Sequence, residues 1–74
     1  MNVPLTPIAL YCVEYYGLED QTELIGAVDI PAAQYKDCAT RIGILLCSIR
    51  RRYRLTARII NGQGEIVDKM VIYR

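Results

Sequence analysis

The chain has 74 residues, 53% of them hydrophobic, with no histidine, tryptophan or phenylalanine, and its nine basic and eight acidic residues leave a formal charge of +1. One domain of this length buries only about 60% of the surface its unfolded form exposes, so part of so large an apolar fraction is expected to stay outside the fold. Without histidine the usual general base and the commonest metal ligand are missing, and the three cysteines, Cys12, Cys38 and Cys47, are too sparse and odd in number for a secreted disulfide scaffold.

Residues 1–7 carry Pro4 and Pro7 and read as an extended lead-in to a single small domain spanning 1–74. Residues 8–16 (IALYCVEYY) are dense in β-branched and aromatic side chains and are bounded by Pro7 and Gly17, which predicts the first strand. One face of it shows Ile8, Leu10, Cys12, Glu14 and Tyr16, the other Ala9, Tyr11, Val13 and Tyr15. The acidic loop GLEDQT follows. Residues 23–30 (ELIGAVDI) then predict a second, antiparallel strand with Leu24, Gly26, Val28 and Ile30 on one face, and Gly26 marks a bulge or a close backbone approach.

Residues 31–52 (PAAQYKDCATRIGILLCSIRRR) form the only stretch with helical periodicity. Pro31 fits a first helical turn, and Asp29 suits the positive end of the helix dipole. Tyr35, Cys38, Ala39, Ile42, Leu45, Leu46 and Ile49 recur at spacings of three and four, which predicts the core-facing stripe. Asp37 and Arg41 are spaced as an i,i+4 pair on the outer side. Ile44 lies off the stripe, exposed, and becomes a candidate contact residue.

No glycine closes this helix, so the chain is expected to run from Arg52 directly into a third strand at 53–60 (YRLTARII), with Tyr53, Leu55, Ala57 and Ile59 inward and Arg54, Thr56 and Arg58 outward. Asn61-Gly62-Gln63-Gly64 is a hairpin signal that permits more than one loop type. If Gly64 is a bulge residue, Asn61 pairs with Glu65 and Arg58 falls opposite Asp68; a four-residue loop inverts every side chain of the last strand, 65–73.

The predicted fold class is α+β: a two-layer ββαββ unit with a four-stranded, mainly antiparallel sheet and one amphipathic helix on one face. A helix about 10–12 Å wide cannot cover four strands spaced about 4.8 Å apart. A second sheet, a second helix or a foreign protein must cover the rest.

Charge is segregated along the chain. Through Asp37 six acids face Lys36 alone, 1 − 6 = −5; from Cys38 to Ile60 there are six arginines and no acid, +6; the remainder balances. Arg41, Arg50, Arg51, Arg52, Arg54 and Arg58 are therefore candidate contacts for a partner protein or, as second choice, for nucleic-acid phosphates. Tyr15 and Tyr16 sit on opposite faces of one strand, so at least one lies outside the helix-covered core and joins the candidates.

The lone Ser48 has no base in reach. No CxxC spacing, paired carboxylates or glycine-rich phosphate loop occurs. The expectation is a non-enzymatic protein without metal or cofactor, a protein-binding module acting as a homodimer or as an inhibitor or adaptor. A phage or mobile-element protein that docks on a host machine would suit this composition. No run approaches the roughly eighteen apolar residues of a membrane span, and the N-terminus lacks the basic start of a secretory signal, so the expected location is the cytoplasm, without a membrane partner.

Overall fold

The computed structural model describes residues 9–17 and 23–74; the predicted lead-in at 1–7 and most of the acidic loop, including Glu19 and Asp20, lie outside the described residues. Four strands and one helix follow in the expected ββαββ order: β1 (Leu10–Gly17), β2 (Leu24–Pro31), a single 3-10 turn (Ala32–Gln34), α1 (Tyr35–Arg50), β3 (Arg54–Ile60) and β4 (Ile66–Tyr73). All pairings are antiparallel, and the strand order is β2-β1-β3-β4. The two hairpins thus meet through their first strands, and β2 and β4 are left as edges.

The alternation read from the sequence holds for β1 and for 55–59 of β3, whereas in β2 a bulge beside Gly26 turns Leu24 to the face opposite Val28 and Ile30, so the four expected together are divided. Val13, Tyr15, Leu55, Ala57 and Ile59 point under the helix and are completely buried. On the edge strands only Ile30 and Ile72 are buried, while Val28 and Met70 are half-covered. One helix therefore seals the two central strands and leaves the edges partly open, as its width requires.

The helix is turned relative to the predicted stripe. Its buried residues are Ala39, Gly43 and Cys47; Tyr35, Cys38, Ile42 and Leu46 are half-buried, and Leu45 and Ile49 are 62% and 72% exposed. At about 100° per residue, Cys47 lies about 80° to one side of Ala39, whereas Ile49 and Leu45 lie about 80° and 120° to the other. The cause is close approach. A Cβ at Gly43 would stand 2.5 Å from Ile72 Cδ1 and 3.1 Å from Tyr15 Cε1, so the helix settles on its smallest residues while the sheet supplies the bulk. Tyr15, fully buried beneath, donates its hydroxyl to the Ala39 carbonyl at 2.7 Å.

Both ends of the helix differ from expectation. Pro31 closes β2 rather than opening the helix. The helix stops at Arg50 without glycine, because Arg51 adopts the left-handed conformation, φ 54° and ψ 47°. Arg52 N–H donates to the Cys47 carbonyl at 2.8 Å and Arg51 N–H to that of Ser48 at 3.3 Å, the two bonds of a Schellman motif. A non-glycine residue costs about 1 kcal/mol in that conformation.

The β3–β4 register combines the two alternatives. Gly64 has φ +81°, and Asn61 N–H donates to the Glu65 carbonyl at 2.9 Å, as a bulged loop requires. A second bulge, with Val67 as the extra residue of β4 opposite the Ile59–Ile60 step, then shifts the ladder, so Ile59 faces Asp68 and Arg58 faces Lys69. The expected Arg58–Asp68 pair does not form. Asp68 turns to the helix side, where Tyr35 donates its hydroxyl to Oδ2 at 2.8 Å. That bond is the main reason why the Asp68 carboxyl is held below its ordinary value and the Tyr35 hydroxyl above. Tyr35 also meets Tyr11 edge-to-face, with centroids 5.4 Å apart.

Candidate interaction surface

The sheet face away from α1 carries no covering layer among the described residues. Strand register sets its rows. One row runs Ala27, Glu14, Arg58, Lys69 across β2, β1, β3 and β4; the next on one side holds Asp29, Cys12, Ile60 and Ile66; on the other stand Leu24, Tyr16, Thr56 and Val71. Leu10 and the pair Arg54–Tyr73 complete it at opposite ends. Leu10, Leu24, Ile66, Val71 and Tyr73 are all about half exposed or more.

At its centre Tyr16, Glu14 and Arg58 form one network. Tyr16 donates its hydroxyl to Glu14 Oε1 at 2.8 Å, which raises the tyrosine's pKa, and the Arg58 guanidinium carbon lies 4.4 Å from the centroid of the Tyr16 ring. Thr56, beside Tyr16, is buried, and its Oγ1 has no hydrogen-bond partner among the described residues. On the β1–β2 half of this face the charged residues are Glu14 and Asp29, both acidic; on the β3–β4 half they are Arg54, Arg58 and Lys69, all basic. The charge segregation of the linear sequence therefore becomes a lateral division of one flat surface. Arg58 and Lys69 stand directly opposite each other despite like charge, an unfavourable pair left in place.

The remaining predicted contact residues scatter. Tyr15 belongs to the core, so Tyr16 alone of the pair reaches a surface. Ile44 is exposed on the outside of the helix. Arg41 is 3.3 Å from Asp37 in an exposed i,i+4 pair, which stabilises the helix by a few tenths of a kcal/mol. Arg50, Arg51, Arg52 and Arg54 gather at one end of the molecule, where Arg52 pairs with Glu23 at 2.6 Å. Arg74 joins them, its N–H donating to the Tyr53 carbonyl at 2.8 Å. Tyr53, expected inward, is instead 83% exposed there. Sequence reading had passed over Glu14, Lys69, Tyr73 and Arg74, because their membership of these surfaces depends on register and on the Schellman turn.

A second apolar surface flanks the helix, where Ile42, Leu45 and Ile49 line the side away from Cys47. Leu46 lies between that flank and β2, since a Cβ built on Gly26 would meet Leu46 Cδ1 at 3.6 Å. Among the described residues no group of three or more cysteines and carboxylates is placed to hold a metal ion. The cysteines are free; burial foremost raises the Cys12 and Cys47 thiols, so both stay protonated at neutral pH. No described helix is long and apolar enough to cross a membrane.

In comparisons with known proteins the chain matches no family model, no curated protein and no solved structure. The fold class, a four-stranded antiparallel sheet with one helix, is the level at which the structure itself classifies the chain.

Proposed function

We propose that the protein is a non-enzymatic protein-binding module that works as a homodimer, joined through the open faces of its two sheets. The lateral charge division of that face supports this reading. A two-fold axis that runs along the strands between two facing sheets sets β3 of one copy over β1 of the other, and β4 over β2. Basic halves then meet acidic halves twice, in an isologous contact that needs no second kind of surface. Tyr16, Ile60, Val71 and Leu10 supply the apolar part. Facing sheets pack about 10 Å apart with strands within about 30° of each other.

The dimensions are adequate. A face four strands wide and seven or eight residues long measures about 19 by 25 Å, so two copies bury about 1,000 Å² in all, the lower edge of a specific interface. Association is expected to be reversible and sensitive to salt.

Sedimentation equilibrium over a wide concentration range tests the reading. Lys69→Glu and Asp29→Lys should each shift the equilibrium toward monomer, and the two together should restore the dimer by exchanging the signs. A wild-type chain that stays monomeric throughout, or a double variant no more dimeric than either single one, refutes it.

A further inference from the structure

The end of the molecule where α1 stops bears a surface that shares only Arg54 and Tyr73 with the edge of the proposed dimer face. Arg50, Arg51 and Arg52 leave the helix, Arg54 opens β3, and Arg74 is tied by its backbone to Tyr53. Glu23 engages Arg52; the side chains of Arg50, Arg51, Arg54 and Arg74 make no hydrogen bond or ion pair with any described residue. Two tyrosines stand among them, Tyr53 at 83% and Tyr73 at 61% exposure, the latter directly across the ladder from Arg54.

Arg51 is the informative member. It fills the left-handed position of the Schellman motif, which glycine occupies without strain. Its exposed side chain contributes nothing to the turn, whose two hydrogen bonds come from backbone. Folding alone therefore favours glycine there, and an arginine held in that conformation points to a role for its side chain outside the fold.

We infer that this end is a binding site for single-stranded nucleic acid, with Arg50, Arg51, Arg54 and Arg74 contacting phosphates and Tyr53 and Tyr73 stacking on bases. Uncommitted guanidinium groups suit phosphate oxygens, and exposed aromatic rings among cations are the elements that distinguish a single-strand site from a purely electrostatic one. The overall charge of +1 does not oppose this, because the cations are gathered at one end. The inference does not depend on dimerisation.

The probe is a fluorescein-labelled oligodeoxythymidine of about 12 nucleotides, followed by anisotropy at several salt concentrations, with urea unfolding measured on the same proteins. Arg51→Gly should unfold at higher urea than wild type yet bind about fivefold more weakly, and the slope of log K against log salt should fall by about 0.7. Tyr53→Ala and Tyr73→Ala should weaken binding at every salt concentration and leave the slope unchanged. Glu23→Gln, which releases Arg52, should strengthen it. A ribonucleotide oligomer of the same length that binds more tightly identifies RNA as the natural ligand and supports the site. Unchanged affinity in Arg51→Gly overturns the inference. So does equal binding to a blunt duplex of that length, which removes the stacking role, or equal displacement by polyglutamate, which makes the site one for acidic protein.

Discussion

Gly43→Ala separates two effects that act in opposite directions on one residue. In an exposed helix the change would stabilise by about 1 kcal/mol, since alanine is the better helix former. Here the new methyl carbon would stand 2.5 Å from Ile72 Cδ1, 3.0 Å from Ile72 Cγ2 and 3.1 Å from Tyr15 Cε1. The Tyr15 ring cannot retreat easily, because its hydroxyl is anchored to the Ala39 carbonyl and its body is fully buried. Overpacking of this kind costs about 1–3 kcal/mol, and with two of the three contacts close to rigid groups the upper half of that range applies. Net destabilisation of about 1–2 kcal/mol is therefore expected, read as a lower urea midpoint at unchanged m-value.

Ile72→Val supplies the control. It removes the atom at 2.5 Å and alone should cost about 1 kcal/mol for the lost methyl group. Combined with Gly43→Ala it should cost less than the sum of the two, with a coupling of at least about 0.5 kcal/mol. A Gly43→Ala variant as stable as wild type, or strict additivity with Ile72→Val, would show that the helix does not rest on this glycine.

Two further predictions concern titration. Burial pushes the Tyr15 hydroxyl up to about 12, so the unfolded chain releases that proton near pH 10 while the folded one keeps it. Stability is fully present below pH 10 and falls between pH 10 and 12, at up to about 1.4 kcal/mol per pH unit; Tyr15→Phe should lose about 1 kcal/mol at neutral pH and flatten that alkaline limb, and an unaltered limb would assign it elsewhere. For Asp68 the sign is reversed, because the Tyr35 hydroxyl lowers its folded pKa: its contribution is present above the unfolded value and disappears as pH falls through the folded one, so Tyr35→Phe should raise the Asp68 pKa seen by carbon-detected NMR, and an unmoved resonance would mean that the hydrogen bond is absent in solution.

Element order, strand faces and the insufficiency of one helix were legible because each follows from local periodicity and from fixed widths. The helix orientation was not. Counting large apolar residues selected Leu45 and Ile49, whereas packing selected Ala39, Gly43 and Cys47, because a sheet that already carries Tyr15, Leu55 and Ile72 favours a close approach. Small residues give a weak signal to any hydrophobicity-based reading. The position of Asp68 was hidden for a related reason: a single bulge at Val67 changes which face every later β4 residue occupies, and nothing in IVDKMVIY marks it. The arginine cluster was visible as a run of charge, but its division into Arg52 paired with Glu23, Arg58 in the Tyr16 network, and Arg50, Arg51, Arg54 and Arg74 without a hydrogen bond or ion pair among the described residues follows only from the three-dimensional arrangement.

The two proposed surfaces constrain each other through symmetry. An axis along the strands exchanges β1 with β3 and β2 with β4 but does not reverse the strand direction, so both copies carry their arginine ends on the same side of the dimer. An axis across the strands would put those ends on opposite sides, and would also lay β3 over β3 and β4 over β4, bringing Arg58 and Lys69 of the central row against their own copies. The charge division of the open face disfavours that second arrangement by like-charge contact. In the proposed dimer the same distribution of charge would set the two proposed nucleic-acid sites side by side, where one strand could reach both and the second contact would gain from the effective concentration supplied by the first.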